Sequence, residues 1–426
     1  MTRVLVVGLR YPPHHVGGYE VSCRDVVERL AARGHELAVL TSTLRVPGAE
    51  DPPAERDADI PVRRDLEAWF KDDDLHAPGL AERRRMERAN QRALVAALDR
   101  FRPEVVSAWQ MGALSLTLLT TIARRGIPIV YAVSDDWLSY SLQLDGWSRL
   151  FRRWPRPLRA VAARVLGVPT TVPDLGRTGT FCFISEDTRS RARQHSPWSL
   201  DDTALVYSGI DGRLFTPGDA ADTPRPWGGR LLYVGRYDPR KGIETALRAL
   251  VHLDPSVSLE VQGTGDPGER ARLEAVTREL GLESRVWFTS CTRAELVGRY
   301  RAADALVFPS EWEEPFGLTP LEAMACGTPV IATGVGGSGE FLLDPGNCVR
   351  FTAGDPASLA AAVQRLAGDP ALVADLVRQG ARTARAFDVD RLTDSFEAWH
   401  TAAANRFRNG RPTSRSFHLE VDDAAS

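Results

Sequence analysis

Lysine is nearly absent from this chain of 426 residues. Of its 53 basic residues only Lys71 and Lys241 are lysines, and the rest are arginines. Such a bias suggests a GC-rich bacterial genome. Where composition favours arginine so strongly, a lysine within the sequence RYDPRKG indicates a position that needs a compact ammonium group. This interpretation points to Lys241.

Long apolar runs, paired cysteines and a large net charge are also missing. No apolar run approaches the ~20 residues of a membrane span, and the stretch 4–7 is too short for a signal-peptide core. The five cysteines include no CxxC pair, so neither a zinc site nor a disulfide framework is indicated. A formal net charge of -3 argues against a basic nucleic-acid-binding surface. These absences predict a cytoplasmic protein without a nucleic-acid partner.

Strand and helix signals alternate along the chain. A strand at 4–7, a helix over 19–33 and a strand at 36–41 open the pattern, and a later helix is predicted over 112–125. The alternation stops in the Pro/Gly/Asp-rich segment 216–229, which reads as an interdomain linker, and then starts again. The chain is long enough for two domains. We therefore predict an α/β protein with two doubly wound sheets.

The most informative stretch is EPFGLTPLEAMACGTPVIA, which begins at Glu314. It predicts a short helix with Thr319 as N-cap, Pro320 at the first helical position and Glu322 at the capping-box position. A helix N-terminus entered through Phe316-Gly317-Leu318 offers N–H groups and a positive dipole end to a phosphate. Capping alone would explain Glu322 about as well. The second carboxylate, Glu314, favours a nucleotide-sugar site in which one carboxylate binds sugar hydroxyls and the other a ribose.

The residues 309–340, which end in Gly336-Gly337-Ser338-Gly339-Glu340, resemble the donor-site signature of family 4 of the retaining glycosyltransferases with the GT-B fold. Three further stretches agree with that family in order and spacing: YPPHHVGGYE from Tyr11, the residues 206–217, and LLYVGRYDPRKG from Leu231. Together these motifs span most of the chain.

The resemblance implies two Rossmann-like domains that face a central cleft. An acceptor-side domain is expected over 1–213 and a nucleotide-sugar-binding domain over 229–385. A last helix over about 388–408 is expected to cross back onto the first domain. Residues 409–426 are expected to form a disordered tail.

The resemblance also implies a metal-independent hexosyltransferase that moves a sugar, with retention, from a nucleotide-diphosphate sugar to an acceptor hydroxyl. No cofactor is expected, because the nucleotide sugar is a co-substrate, and fixed cations rather than a metal would stabilise the leaving diphosphate. The residues assigned to catalysis are Arg236, Lys241, Glu314 and Asp135. The residues assigned to donor binding are Gly17, Gly18, Gly235, Phe316, Gly317, Leu318, Thr319 and Glu322.

Two loops of the first domain supply the acceptor candidates. Gly17 and Gly18 would let the backbone approach the substrates closely, although a tight turn alone also explains them. His14 and His15 lie in the same loop, and the alternative is that both face solvent. Many family members have a histidine that contacts the donor sugar where this chain has Ser134, so the choice of sugar stays open. The adjacent carboxylate, Asp135, would orient an acceptor hydroxyl, stabilise a developing oxocarbenium ion, or merely order its loop.

The alternation is also interrupted by an insertion over 134–180. Between Gly146 and Pro173 it has no acidic residue and interleaves arginines with tryptophan, phenylalanine and leucine. Such a segment, over 147–166, suits a peripheral contact with the inner membrane face that brings the enzyme to a lipid-linked acceptor. It also suits a grip on a soluble anionic or polycyclic acceptor, a lid or a subunit contact. The acceptor is thus a small molecule or a lipid-linked glycan.

Several rival functions can be weighed on the same residues. A GT-B nucleotide-sugar epimerase would need no acceptor, and the Gly-Gly loop argues against it. A non-catalytic nucleotide-sugar-binding partner is conceivable because of Ser134. All four charged residues expected at the donor site are nevertheless present, namely Arg236, Lys241, Glu314 and Glu322. A dehydrogenase is excluded because the residues after Gly8 lack GxGxxG spacing. The acidic triplet 72–74 resembles a DxD metal motif, but it lies away from any strand end, so we expect no metal site.

Overall fold

The computed structural model describes residues 1–50, 60–71, 74–218 and 226–409. The chain divides into two compact units. The first comprises Met1–Tyr207 and the chain from Asp390 onward, and the second comprises Ser208–Val389. The predicted tail beyond Asn409, most of the acidic triplet and part of the predicted linker lie outside the described residues.

The first unit contains a seven-stranded sheet in the order β3-β2-β1-β6-β7-β8-β9, with every neighbouring pair parallel. Its strands, with the small antiparallel pair β4-β5, are β1 (Arg3–Gly8), β2 (Glu36–Ser42), β3 (Val62–Leu66), β4 (Phe70–Lys71), β5 (Asp74–Leu75), β6 (Val105–Trp109), β7 (Ile129–Val133), β8 (Gly179–Phe183) and β9 (Thr203–Leu205). Its helices are α1 (Gly18–Ala32), α2 (Leu80–Phe101), α3 (Thr117–Arg124), α4 (Trp137–Leu144), α5 (Ser148–Phe151), α6 (Arg156–Leu166) and α7 (Glu186–His195), to which the C-terminal α14 (Val389–Arg408) is added.

The second unit contains a six-stranded parallel sheet in the order β12-β11-β10-β13-β14-β15. Its strands are β10 (Arg230–Val234), β11 (Ser258–Gln262), β12 (Val286–Thr289), β13 (Ala305–Phe308), β14 (Val330–Ala332) and β15 (Val349–Arg350). Its helices are α8 (Ile243–Leu250), α9 (Pro267–Glu279), α10 (Arg293–Ala302), α11 (Leu318–Ala325), α12 (Pro356–Gly368) and α13 (Pro370–Ala386).

Both sheets reverse their strand order at the first strand of the unit, so the prediction of two doubly wound sheets is confirmed. The central strands are fully buried, which is why they read as continuous apolar runs such as VLVV rather than as alternating patterns. In each unit the switch point lies beside the first strand, between β1 and β6 and between β10 and β13. Ligands of open α/β sheets bind at the carboxyl ends of the strands at these points.

The helix α14 belongs to the first unit and is held there by apolar and charged contacts. The Phe396 ring lies 4.9 Å from that of Trp109, and Arg29 Nε lies 2.8 Å from the Asp390 carboxylate. The buried ring of His400 forms a 3.0 Å hydrogen bond with Ser107 Oγ, and burial lowers its pKa to about 3. A neutral histidine therefore anchors the middle of this helix.

The first compact unit ends at Tyr207, and the residues that follow belong to the second unit, where Ile210 N–H donates to Phe387 O at 3.0 Å. The predicted domain end at 213 stays a prediction. One predicted helix boundary is wrong. The helix predicted over 112–125 begins only at Thr117. The Ala113 carbonyl accepts from Trp69 N–H instead, at 2.8 Å, so this stretch cannot continue the helix.

The insertion folds as the three helices α4, α5 and α6. A small core of Trp69, Met86, Trp147, Phe151 and Val168 lies beneath them. The indole of Trp147 is fully buried and donates to the Pro169 carbonyl at 2.7 Å. The insertion is thus a packed element of the first unit. Among the residues described, no helix has the length and apolar character needed to cross a membrane.

Candidate active site

A charged site lies at the switch point of the second unit. The turn after β10 carries Gly235, Arg236 and Lys241, and the loop after β13 carries Glu314. Gly242 at the end of the turn has φ +67°, and a Cβ there would lie 2.0 Å from the Pro309 carbonyl oxygen. Only glycine allows this turn to approach the β13 loop so closely. The turn that carries Lys241 and the loop that carries Glu314 are therefore adjacent in the fold.

Lys241 and Glu314 form a short ion pair at the centre of this site. The Lys241 Nζ lies 2.6 Å from Glu314 Oε2, and the two side chains are only 14% and 12% exposed. The same Oε2 accepts hydrogen bonds from Trp312 Nε1 at 2.8 Å and from Ser310 Oγ at 3.1 Å. Three donors on one oxygen fix the carboxylate. Within the part of the chain that the structure describes, Glu314 Oε1 has no hydrogen-bond partner.

Trp312 was not among the predicted site residues. Its ring is stacked by Arg240, whose guanidinium carbon lies 4.5 Å from the ring centroid, while Lys241 Nζ lies 5.2 Å from it. Tryptophan is the strongest aromatic partner for such cations. The signal that could have identified it is an indole inside an otherwise acidic loop, two positions before Glu314.

Arg236 stays more open than Lys241. Its side chain is 42% exposed, and its Nη2 lies 4.0 Å from an Asp238 carboxylate oxygen that Arg240 binds at 2.7 Å. The backbone carbonyl of Arg236 is fixed by the hydroxyl of Tyr233, which donates to it at 3.0 Å. The guanidinium thus has the freedom to turn towards a ligand at the end of β10, although the structure does not place it against Glu314.

The glycine-rich stretch after β14 supports the backbone of the Glu314 loop. Gly336 forms an isolated parallel β-bridge with Glu314 and has φ +67°. A Cβ at this position would lie 2.6 Å from the Glu314 backbone nitrogen. The motif therefore holds the carboxylate loop in place by close backbone packing.

The predicted capping box of α11 is wrong. The helix begins at Leu318, and its N-cap is Gly317, with φ +95° and no side chain that caps the first turn. Thr319 therefore lies inside the helix, and its buried Oγ1 has no hydrogen-bond partner in the described ranges. The ring of Phe316 is buried against those of Phe341 and Phe387 and fixes the approach to the helix. The N-terminus of α11 is left uncapped by side chains.

Glu322 bonds to another helix instead of capping its own. Its Oε2 accepts from the buried hydroxyl of Tyr300 at 2.8 Å, and its Oε1 lies 3.9 Å from Arg293 Nη2. Burial and the nearby carboxylate raise the pKa of Tyr300 well above its ordinary value, so this phenol stays a donor. The capping alternative is excluded, and the assignment of Glu322 to donor binding stays a prediction.

A second polar cluster lies in the first unit, at the carboxyl ends of β1, β6 and β7. Asp135 Oδ2 accepts from the Tyr140 hydroxyl at 3.0 Å, and Oδ1 accepts from Trp137 N–H at 3.2 Å. Burial raises the pKa of Asp135 to about 6 despite these hydrogen bonds. Ser134 is half-buried beside it. Tyr140 was missed because nothing in its local sequence separates it from a core tyrosine.

Tyr19 joins the loops of this cluster. Its hydroxyl donates a short hydrogen bond to the Ala132 carbonyl and accepts from Gln110 N–H at 3.0 Å. Burial, reinforced by Asp135, raises the pKa of Tyr19 well above its ordinary value. The phenol therefore remains protonated and ties the ends of β6 and β7 to α1.

The loop before α1 holds the remaining candidates. Gly17 is the N-cap, with φ -154°, and its N–H donates to Glu20 Oε2 at 3.1 Å. Neither Gly17 nor Gly18 has a positive φ, so the backbone angles of these two positions do not require glycine. His15 is exposed, but His14 is buried and accepts from Val46 N–H at 3.3 Å, which contradicts a solvent-facing His14. In the described residues, no group of acidic, histidine or cysteine side chains could hold a metal ion.

Comparison with known proteins agrees with this architecture. The model of Glycosyltransferase Family 4 matches residues 16–213, and that of Glycosyl transferases group 1 matches residues 228–383. The glycogen synthase of Mycobacterium tuberculosis is 29% identical over 94% of this chain and 92% of its own length. The D-inositol 3-phosphate glycosyltransferase of Geodermatophilus obscurus is 35% identical over 57% of this chain and 56% of its own.

The fold is shared with solved structures as well. Anabaena HepE in complex with UDP and glucose has a TM-score of 0.69 and 19% identity, with 94% of this chain and 100% of that chain covered. Two doubly wound units and this structural likeness together identify the GT-B fold. The chain belongs to the family 4 glycosyltransferases of that fold.

Proposed function

We propose that this glycosyltransferase moves a hexosyl group from a nucleotide-diphosphate sugar to an acceptor hydroxyl, with retention and without a metal ion. The observation that carries the proposal is the pair of Lys241 and Glu314, a buried cation and a fixed carboxylate that share one switch point. Donor binding is assigned to the second unit, and Asp135 of the first unit is assigned to the acceptor side.

The second unit has the parts that departure of a diphosphate needs. Lys241 offers three N–H donors, of which Glu314 engages one. The uncapped N-terminus of α11 adds backbone N–H groups and a positive dipole end. These groups are fixed before the reaction and stabilise the negative charge that develops on the leaving oxygen. Preorganised donors lower a reaction barrier in this way.

The second oxygen of Glu314 suits the sugar. Because Oε2 is held by three donors, the carboxylate plane is fixed, and Oε1 is left to accept from sugar hydroxyls. In the proposed step, the bond from the anomeric carbon to the phosphate oxygen breaks and a bond to the acceptor oxygen forms on the same face. The acceptor proton passes to the leaving phosphate oxygen. Asp135 orients the acceptor hydroxyl and opposes the positive charge of the oxocarbenium-like transition state.

HepE, which shares the fold, was solved in complex with UDP and glucose, and this supports a nucleotide-sugar donor here. The test is calorimetry with UDP, GDP, ADP and dTDP in the presence of a chelator, followed by NMR of the product anomer. We expect one nucleotide to bind and the product to keep the donor's anomeric configuration. An inverted product would contradict retention, and conversion of the donor to an isomer without acceptor would indicate an epimerase.

We also propose a peripheral contact between α6 and an anionic membrane surface, on the inner face in a bacterial cell. The apolar side chains Trp154, Leu158, Val161 and Val165 are 45%, 52%, 59% and 72% exposed and recur at helical spacing. On another side of the helix, Ala162 and Leu166 pack on the insertion core. The exposed apolar side chains of α6 are therefore not needed to pack this helix on the insertion core.

Charge favours a lipid surface as the partner of this apolar stripe. The segment before and within α6 has exposed arginines at 152, 153 and 156 and no acidic residue. Each basic side chain near an anionic bilayer contributes about 1 kcal/mol, and the apolar stripe adds burial in the headgroup region. The same surface would bring the enzyme to a lipid-linked acceptor.

The double variant Val161→Glu/Val165→Glu is expected to bind phosphatidylglycerol vesicles at least about tenfold more weakly than the wild type, since it adds two negative charges to the stripe. Vesicle sedimentation measures this. Val251→Glu, at an exposed valine of the second unit, is the matched control. Equal binding to phosphatidylcholine vesicles, or unchanged binding of the double variant, would contradict the contact.

A further inference from the structure

A pocket in the first unit lies beside Asp135 and has no assigned role. We infer that it binds the apolar body of an acceptor with a single hydroxyl group, which donates its proton to Gln110 on entry and lies beside Asp135. The inference rests on the proposed function and names the class of acceptor that the enzyme takes.

The pocket has a volume of about 360 Å³, within the range of small-molecule sites. The loops after β1 and β6, the strand β4 and the helix α4 contribute its walls. Its lining residues are Leu9, Phe70, Gln110, Gly112, Ala113, Tyr140 and Leu144. Of these only Gln110 and Tyr140 have polar side chains, so the walls are almost entirely hydrocarbon.

The pocket is joined to the candidate acceptor carboxylate through Tyr140. The ring of Tyr140 forms one wall, while its hydroxyl donates to Asp135 Oδ2. Gly112 makes this placement possible, because a Cβ at that position would lie 2.6 Å from the Tyr140 ring. A molecule in the pocket therefore lies next to the residues that meet the acceptor.

Gln110 provides an unused hydrogen-bond acceptor in this wall. Its side-chain Oε1 is buried and has no partner in the part of the chain that the structure describes. Its backbone is held at φ 45°, which is uncommon for a residue other than glycine. Strained residues of this kind persist where the surrounding structure fixes them and concentrate at functional sites. Burial of an unpaired amide oxygen costs about 1–3 kcal/mol, so a turn of the amide that brings Oε1 to an incoming hydroxyl is favoured.

The balance of apolar wall and polar groups selects the ligand class. A polyhydroxylated sugar would lose water from several hydroxyls and find two polar side chains, which leaves buried polar groups unpaired. An aromatic ring, a polycycle or an alkyl chain with one hydroxyl fits both features. Rigid ring systems and lipid alcohols share this chemistry, and the experiment separates them.

Fluorine NMR line broadening with para-fluorobenzyl alcohol and ω-fluorohexanol tests the inference on the full chain. We expect at least one of them to bind and glucose not to compete with it. Preference for the benzyl alcohol would indicate a ring acceptor, and preference for the alkanol a lipid acceptor. Competition by glucose, or absence of binding by both alcohols, would overturn the inference.

Variants locate the binding. Leu144→Trp fills the pocket and is expected to weaken binding of the preferred alcohol by more than about tenfold. Gln143→Trp, an exposed neighbour on the same helix, is the matched control and should bind as the wild type does. In Gln110→Met the preference for para-fluorobenzyl alcohol over its isomer para-fluoroanisole, which has no hydroxyl, should disappear. Unchanged binding in both Leu144→Trp and Gln110→Met would overturn the assignment.

Nucleotide calorimetry on the same samples separates the two proposals. If the wild type binds a nucleoside diphosphate but neither alcohol, only the pocket inference fails. If alcohols bind and no nucleotide does, the pocket stands as a site while the proposed donor reaction fails.

Discussion

Replacement of Lys241 by alanine is expected to lower kcat by about 10²–10³-fold, the effect of removing one preorganised donor from a developing anion. The Lys241 side chain is only 14% exposed and its ammonium holds Glu314 at 2.6 Å, so the variant loses the cation and loosens the carboxylate together. Initial rates of nucleotide release at saturating donor measure the effect, and calorimetry should show weaker nucleotide binding.

Lys241→Arg and Arg248→Ala make the Lys241 result specific. Arginine keeps the charge, but its planar group cannot occupy the place of an ammonium between Glu314 and the Trp312 ring. The kcat of Lys241→Arg should therefore stay well below that of the wild type. Arg248 is a surface residue paired with Glu244, and its removal should leave kcat unchanged. Wild-type turnover in Lys241→Ala would disprove the role of the ion pair.

Replacement of Asp135 by asparagine is expected to lower kcat by about 10²-fold, because it removes a negative charge that would stabilise the positively charged, oxocarbenium-like transition state. Asp136→Asn is the matched control, since that adjacent carboxylate is already paired with Arg191 at 3.0 Å. If the two variants behaved alike, the assignment of Asp135 to the reaction would be wrong.

The pH dependence identifies Asp135 more sharply than the rate alone. Burial raises its pKa to about 6, so the ionised form is lost as the pH falls through 6 and activity should fall with it. Asp135→Asn should lose this acidic limb. The Tyr140 hydroxyl donates to the carboxylate and lowers its pKa, so Tyr140→Phe should move the limb to higher pH. A limb that stays at the same pH in Tyr140→Phe would show that another group titrates.

The central strands of both sheets were predictable because buried parallel strands leave uninterrupted apolar runs. The capping box at Thr319 and Glu322 was predicted wrongly for an equally physical reason. The residue pattern satisfied a local rule, but Glu322 gains a hydrogen bond from Tyr300 on a neighbouring helix, and Gly317 takes the cap position with φ +95°. Tertiary contacts of this kind override local propensity.

Trp312, Tyr140 and Gln110 could not be assigned from the sequence, since their roles come from residues far along the chain. Trp312 acts with Lys241 through the pairing of β10 with β13, and Tyr140 lies on Gly112 only because β6 and β7 are adjacent. Local patterns do not encode such proximity.

By itself the sequence determined the two doubly wound sheets and the charged motifs at their strand ends, because apolar runs and glycine turns are local properties. Composition alone singled out Lys241, as one of two lysines in an arginine-rich chain. The tertiary structure alone decided which oxygen of Glu314 is engaged, that Glu322 serves a tyrosine rather than a cap, and that an apolar pocket lies beside Asp135. These depend on the parallel strand order, which brings distant loops to one edge of each sheet.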